Sequence, residues 1–163
     1  MKFQIFRAPM RARDRDLGQF DGSGFGVEAG LVGTGDRLES VPEDLDDALM
    51  LVTTEHGLKP GRMLERFAGL PEGVFVWTQT GPDEYRLGRI TGPWHYDDSP
   101  AAREAGIHHV RPAKWLDETF PASEIPAAVA DTFARGGRNF QRTNDAEAAA
   151  ETGKIWQEFV SET

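Results

Sequence analysis

Residues 73–116 read GVFVWTQTGPDEYRLGRITGPWHYDDSPAAREAGIHHVRPAKWL, and the reading of this stretch decides the fold class. Three runs rich in β-branched and aromatic residues, VFVWTQT, YRLGRITG and IHHVRPAKWL, are separated by GPDE and by DDSPAAREAG. Runs of this kind between turn-forming clusters read as strands, and the short GPDE connection suits a hairpin. The pattern predicts strands over 74–79, 85–91 and 107–116, paired mainly antiparallel.

Helical signals lie on both sides of this block. Upstream, Ser40 and Glu43 have capping-box spacing, and Leu45, Ala48, Leu49 and Val52 repeat at helical intervals until Gly57. Pro60 suits a first helical position, with Met63, Leu64 and Phe67 as the apolar stripe before Gly69. Downstream, the pattern predicts a short helix over 127–134, an extended segment RNFQRT, and a last helix carrying Ala148, Ile155, Trp156 and Phe159. Asn144 and Glu147 have the spacing of a cap and an N3 acid for that last helix. The glycines between Gly18 and Gly35 show no helical period and read as loops around short strands. With no internal repeat and no linker-like break, the 163 residues read as one α+β domain over 1–163. Residues 1–18 read as an N-terminal extension and 144–163 as a C-terminal helix.

Composition removes several chemistries. There is no cysteine, so disulfides, thiolate catalysis and Cys-ligated metals are excluded. Eighteen Lys+Arg against 27 Asp+Glu leave a net charge of -9, which opposes indiscriminate binding to nucleic acid or anionic membrane. The charge is segmental: residues 1–16 carry +3 and residues 17–57 carry -8, so any contact with phosphates must be local. The start lacks the apolar stretch of a signal peptide, and no run approaches the ~18 apolar residues of a membrane helix. The expectation is a cytoplasmic protein without membrane contact.

No GxSxG elbow, HExxH or P-loop sequence is present, so the chain reads as a non-enzyme with no cofactor. Gly22-Ser23-Gly24-Phe25-Gly26 lacks the third glycine of a dinucleotide fingerprint and reads as a plain loop. His108 and His109 are adjacent on an expected strand, where neighbours point to opposite faces, so they cannot share one metal. One is expected half-buried and the other on the surface. Asp97, Asp98 and the acids at 43–47 read as solvated.

The aromatics are more informative. Trp77, Trp94 and Trp115 lie in or beside successive expected strands, where they either form a slot that stacks a flat group or pack the core. Trp94 follows Gly92-Pro93, which break the strand, and a turn favours ligand stacking over burial.

The ordered motifs Lys59-Pro60-Gly61-Arg62, Arg66-Phe67-Ala68, Leu87-Gly88-Arg89-Ile90-Thr91-Gly92-Pro93-Trp94-His95-Tyr96 and His109-Val110-Arg111-Pro112-Ala113-Lys114-Trp115-Leu116 resemble the PUA-like domains of the EVE group. The resemblance runs from about Gly24 to about Phe140, and similar segments stand at the front of modification-dependent restriction proteins. It implies a small, curved, mostly antiparallel β-barrel flanked by helices, related to YTH and SRA modules, that holds one flipped, modified nucleotide in an aromatic pocket. By position it implies Trp94, Tyr96, Trp77 and Trp115 as base-binding rings, with Phe25 and Gly26 as the pocket's early loop. Arg89, His95, Arg111 and Lys114 would contact phosphates, with Lys59 and Arg62 as a second set.

The implied function is a non-enzymatic reader of 5-methylcytosine DNA linked to restriction or defence. A nuclease or motor subunit is an implied partner, because the chain has no room for either domain. Two other readings stand beside it: an RNA reader with the same barrel, and a regulatory domain that binds a small molecule or nucleotide.

Overall fold

The computed structural model describes residues 4–11, 18–35, 37–137 and 139–160. The chain runs β1 (Ile5–Arg7), α1 (Asp21–Ala29), β2 (Leu31–Thr34), α2 (Leu45–His56), α3 (Leu58–Gly69), β3 (Phe75–Gly81), β4 (Glu84–Ile90), β5 (His95–Tyr96), α4 (Pro100–Ala105), β6 (His109–Trp115), α5 (Ala127–Ala134), β7 (Gln141–Arg142) and α6 (Ala146–Val160). The three strands expected between 73 and 116 form within two residues of their expected bounds, and Pro82-Asp83 turns the β3–β4 hairpin.

The strands make one curled sheet in the order β2-β6-β4-β3-β1-β7, with β5 on β6. All pairings are antiparallel except β1 with β3. His109 and Val110 pair with β2 and also with β5, so β2 and β5 occupy opposite edges of β6. β4 and β5 therefore share one edge, interrupted at Thr91–Trp94.

Each face of the sheet has its own core. Phe6, Val74, Val76, Ile90 and Trp115 pack under α2 and α3 through Ala48, Val52, Leu64 and Phe67. Ile5, Phe75, Trp77 and Leu87 pack under α5 and α6 through Val129, Ala148 and Trp156. The period of two along β3 sends alternate side chains to the two cores, so the strand is apolar on both faces. Gly88 allows this closeness: a Cβ there would stand 2.5 Å from the Trp115 ring.

Four local expectations are corrected. The glycine-rich stretch contains α1, because Gly22 and Gly26 let the helix lie against Met10, whose carbonyl and thioether occupy the space of any Cβ. The N-cap of α2 is Asp44, not Ser40: its carboxylate accepts from Asp47 N–H at 2.8 Å, and Asp47 accepts from Glu43 N–H at 2.9 Å. Asp145, not Asn144, caps α6, accepting from Ala148 N–H at 2.9 Å. Part of the expected N-terminal extension is integral, since β1 is buried between β3 and β7.

Candidate functional site

A cavity of about 710 Å³ opens between α3, β1 and the segment 139–144. Its apolar lining comes from Phe6, Met63, Leu64, Phe67 and Phe140. Phe6 and Phe140 are stacked at 5.0 Å with an 11° interplanar angle, and Phe67 meets Phe140 edge-on at 5.0 Å. Three arginines, Arg11, Arg66 and Arg142, line the same cavity against one acid, Glu65. In a chain of net charge -9 this is a local excess of positive charge beside an aromatic wall.

Helix α3 supplies much of this wall by its period. Leu64 and Phe67 turn inward, while Lys59, Arg62 and Arg66, three and four residues apart, form an exposed basic stripe that ends at the cavity. Among the described residues the only ion pair is Arg103–Asp98, at 2.8 Å, so the stripe is not neutralised by carboxylates there.

His109 also lines the cavity, backed by Trp94 and Tyr96. The Trp94 indole Nε1–H donates to His109 Nδ1 at 3.2 Å, with the rings stacked at 6.1 Å and 22°. An indole is a donor only, so Nδ1 accepts and the imidazole proton sits on Nε2. Tyr96 meets His109 edge-on at 5.3 Å and stacks on His108 at 5.6 Å. Its hydroxyl accepts from Leu38 N–H at 3.0 Å. Burial raises the Tyr96 phenol above its ordinary value, and the bond from Leu38 opposes that shift. His108 Nδ1 donates to the Asp97 carbonyl at 2.9 Å. Both histidines are buried, at 2% and 1% exposure, which corrects the expectation of one at the surface.

The other expected base-binding residues do not gather here. Trp77 is 1% exposed in the core under α6; its Nε1–H donates to Thr152 Oγ1 at 3.0 Å and its ring packs on Phe120. Trp115 stands on the opposite face, its Nε1–H donating to the Leu31 carbonyl at 3.0 Å. The strand tryptophans therefore do not converge: the pleat divides Trp77 from Trp115, and the strand break leaves Trp94 beside His109. Phe25 and Gly26 are on α1 rather than a loop, and neither lines the cavity.

The expected phosphate contacts divide similarly. Arg111 is 3% exposed; its Nε donates to the Gly92 carbonyl at 2.9 Å and its Nη1 to the carbonyls of Phe67 and Leu70. It therefore caps the C-terminal end of α3, and burial holds its guanidinium below the ordinary arginine value. Arg89 donates to the Gly73 carbonyl at 2.8 Å and lies over the Phe75 ring at 4.6 Å, on the α6 face. Lys114 is directly opposite Arg89 in the β4–β6 register, so it projects to that same face, away from the cavity. His95 is exposed on β5, while Lys59 and Arg62 lie on the basic stripe.

Phe6, Phe67, Phe140, Arg11, Arg66 and Arg142 were missed as site residues. Arg66-Phe67 stood inside a quoted motif, but only the spacing on α3 and the return of 139–144 beside β1 bring these residues together. Arg7 pins that return: its Nε and Nη2 donate to the Asn139 carbonyl at 3.3 and 3.2 Å, next to Phe140.

No family model matches the chain, and no curated protein matches its sequence. Among solved structures it is similar to the YTH domain of the Zygosaccharomyces rouxii MRB1 protein, solved in complex with N6-methyladenosine RNA. The two share 11% identity and a TM-score of 0.43, over 96% of this chain and 86% of that one. A likeness that distant assigns no function.

Among the described residues no group of three His, Asp or Glu side chains is placed to hold a metal, and no helix is long and apolar enough to cross a membrane.

Proposed function

We propose that the chain is a non-enzymatic, PUA-like reader of modified bases of the EVE type, which takes a flipped 5-methylcytosine of DNA into the cavity between α3 and residues 139–144. The observation that carries this reading is the pairing of a three-phenylalanine wall with Arg11, Arg66 and Arg142 around one space of about 710 Å³. That volume lies in the range of small-ligand sites and admits a nucleobase. The phenylalanine rings favour a base face and its added methyl, which a protein reads closely only once the base has left the stack.

Phosphates are met by Arg66, Arg142 and the Lys59–Arg62 stripe, which position the strand without reading it. Trp94 and Tyr96 act in this reading through His109, as positioning residues behind the pocket. Restriction or defence through a nuclease or motor partner follows from the resemblance of the quoted motifs.

The test is a gel-shift series at fixed salt. It uses unmodified, 5-methylcytosine, 5-hydroxymethylcytosine and N6-methyladenine oligonucleotides, each as DNA and as RNA. The reading expects the 5-methylcytosine DNA to bind best and Phe140→Ala to erase the preference. Preference for modified RNA would move the same cavity to an RNA reader through the ribose 2′-OH. Equal binding of free nucleosides and oligonucleotides would favour a small-molecule regulatory domain.

A further inference from the structure

A second cavity, of about 770 Å³, lies along α6 and meets the first: Gln4, Arg142 and Asn144 line both. Its floor is the face of α6 that carries Ala146, Ala149, Ala150 and Gly153, residues without bulk, so the helix surface is shallow and apolar. Arg142 stands at the junction and Lys154 farther along the groove. The acid in the lining, Asp145, turns its carboxylate onto Ala148 N–H, where the positive end of α6 offsets its charge. The linings of the two cavities together carry Arg11, Arg66, Arg142 and Lys154 against Glu65 and Asp145, an excess of basic side chains, and the exposed Lys59 and Arg62 of α3 stand beside the first cavity.

We infer that this groove is a second subsite, which holds the nucleotide flanking the one whose base enters the first cavity; the inference rests on the function proposed above. A nucleic-acid strand fits both features of the groove. A sugar or base face lies on the alanine and glycine surface, while the phosphates on either side meet Arg142 and Lys154. The subsite gives a reason for reading a strand rather than a free nucleoside: the flank adds contacts that a lone modified base lacks.

The test compares two probes by NMR titration of the full chain: 5-methyl-2′-deoxycytidine, and a five-nucleotide DNA with 5-methylcytosine at its centre. Ala150→Glu and Lys154→Glu change exposed positions of α6 that do not line the first cavity. The wild type should bind the pentanucleotide at least about ten-fold more tightly than the nucleoside, as one added stacked base gives. Each variant should remove most of that gain and leave nucleoside binding as it was. Lys154→Ala should lower the salt dependence of pentanucleotide binding by about 0.7 in logarithmic slope, the value of one phosphate on a single strand.

Unchanged pentanucleotide binding in both variants would overturn the subsite while leaving the first cavity's reading intact. Equal losses for both probes would overturn it too, because the variants would then be acting through the first cavity. Failure of the wild type to bind either probe would overturn the proposed function and the subsite together.

Discussion

The indole of Trp94 holds the imidazole of His109 by a bond from Nε1–H to Nδ1 at 3.2 Å, with the two rings nearly parallel. His109 lines the cavity and Trp94 does not, so the tryptophan acts on any ligand through the tautomer and tilt it imposes on the histidine. Trp94→Phe keeps an aromatic surface and deletes the donor. It should cost about 1 kcal/mol of stability, the usual worth of one hydrogen bond, and lower the preference for modified oligonucleotide. Unfolding in urea and the gel-shift series check the two parts. Full selectivity in Trp94→Phe would show that the bond has no bearing on the cavity.

Phe140 is the half-buried ring of the wall, reaching both Phe6 and Phe67. Phe140→Ala should cost about 1–3 kcal/mol of binding to the modified oligonucleotide, roughly ten- to a hundred-fold, as expected for one lost stacking face. Binding to unmodified DNA, carried by phosphates, should change far less. Competition binding at constant salt measures the ratio; a parallel loss for both oligonucleotides would count against a base pocket.

Among the described residues Arg111 binds three backbone carbonyls and no carboxylate, so its removal leaves buried acceptors unpaired at the end of α3 and before Trp94. Arg111→Met should destabilise the fold by about 2–4 kcal/mol, with Tm falling by about 2–4 °C for each kcal/mol in a chain of this size. Lys114→Ala, on the α6 face, should change stability by less than about 0.5 kcal/mol and leave oligonucleotide binding untouched. Calorimetry of both variants decides. A stable Arg111→Met that binds phosphate backbones weakly would restore the phosphate role that the motif suggested.

The chain has two tyrosines, and burial raises both phenols above the ordinary value of 10.0, with Asp83 adding to the shift at Tyr85. A raised folded value means that the unfolded chain ionises first. The stability these phenols contribute is whole below pH 10 and is lost as pH climbs through the raised values. Phenolate absorbance of the native protein should therefore appear at higher pH than that of the urea-unfolded chain, and urea midpoints should fall as pH climbs above 10. Tyr96→Phe should shrink that fall, whereas native titration at pH 10 would refute the burial argument.

The residue order alone determined strands β3, β4 and β6, the helices α2, α3, α5 and α6, and the α+β class, because alternation, helical stripes and turn chemistry act over a few neighbours. It misjudged the glycine-rich α1. Its helix is stabilised by a close approach to Met10, which is a tertiary contact and leaves no mark on local periodicity.

The candidate site divides along the same line. Lys59 and Arg62 were legible as site residues, whereas Arg66 and Phe67, on the same helix, were read only as part of a motif. Trp77 and Trp115 looked alike in sequence, but the pleat sends them to opposite cores, and only the β4–β6 register reveals which face each basic side chain takes. Arg111 read as a phosphate contact, because nothing in a linear string shows that the carbonyls of Phe67, Leu70 and Gly92 will converge on it. The cavity itself belongs wholly to the tertiary structure: Phe6, Phe67 and Phe140 are separated by 61 and 73 residues, and they meet only because β1 and residues 139–144 close against α3.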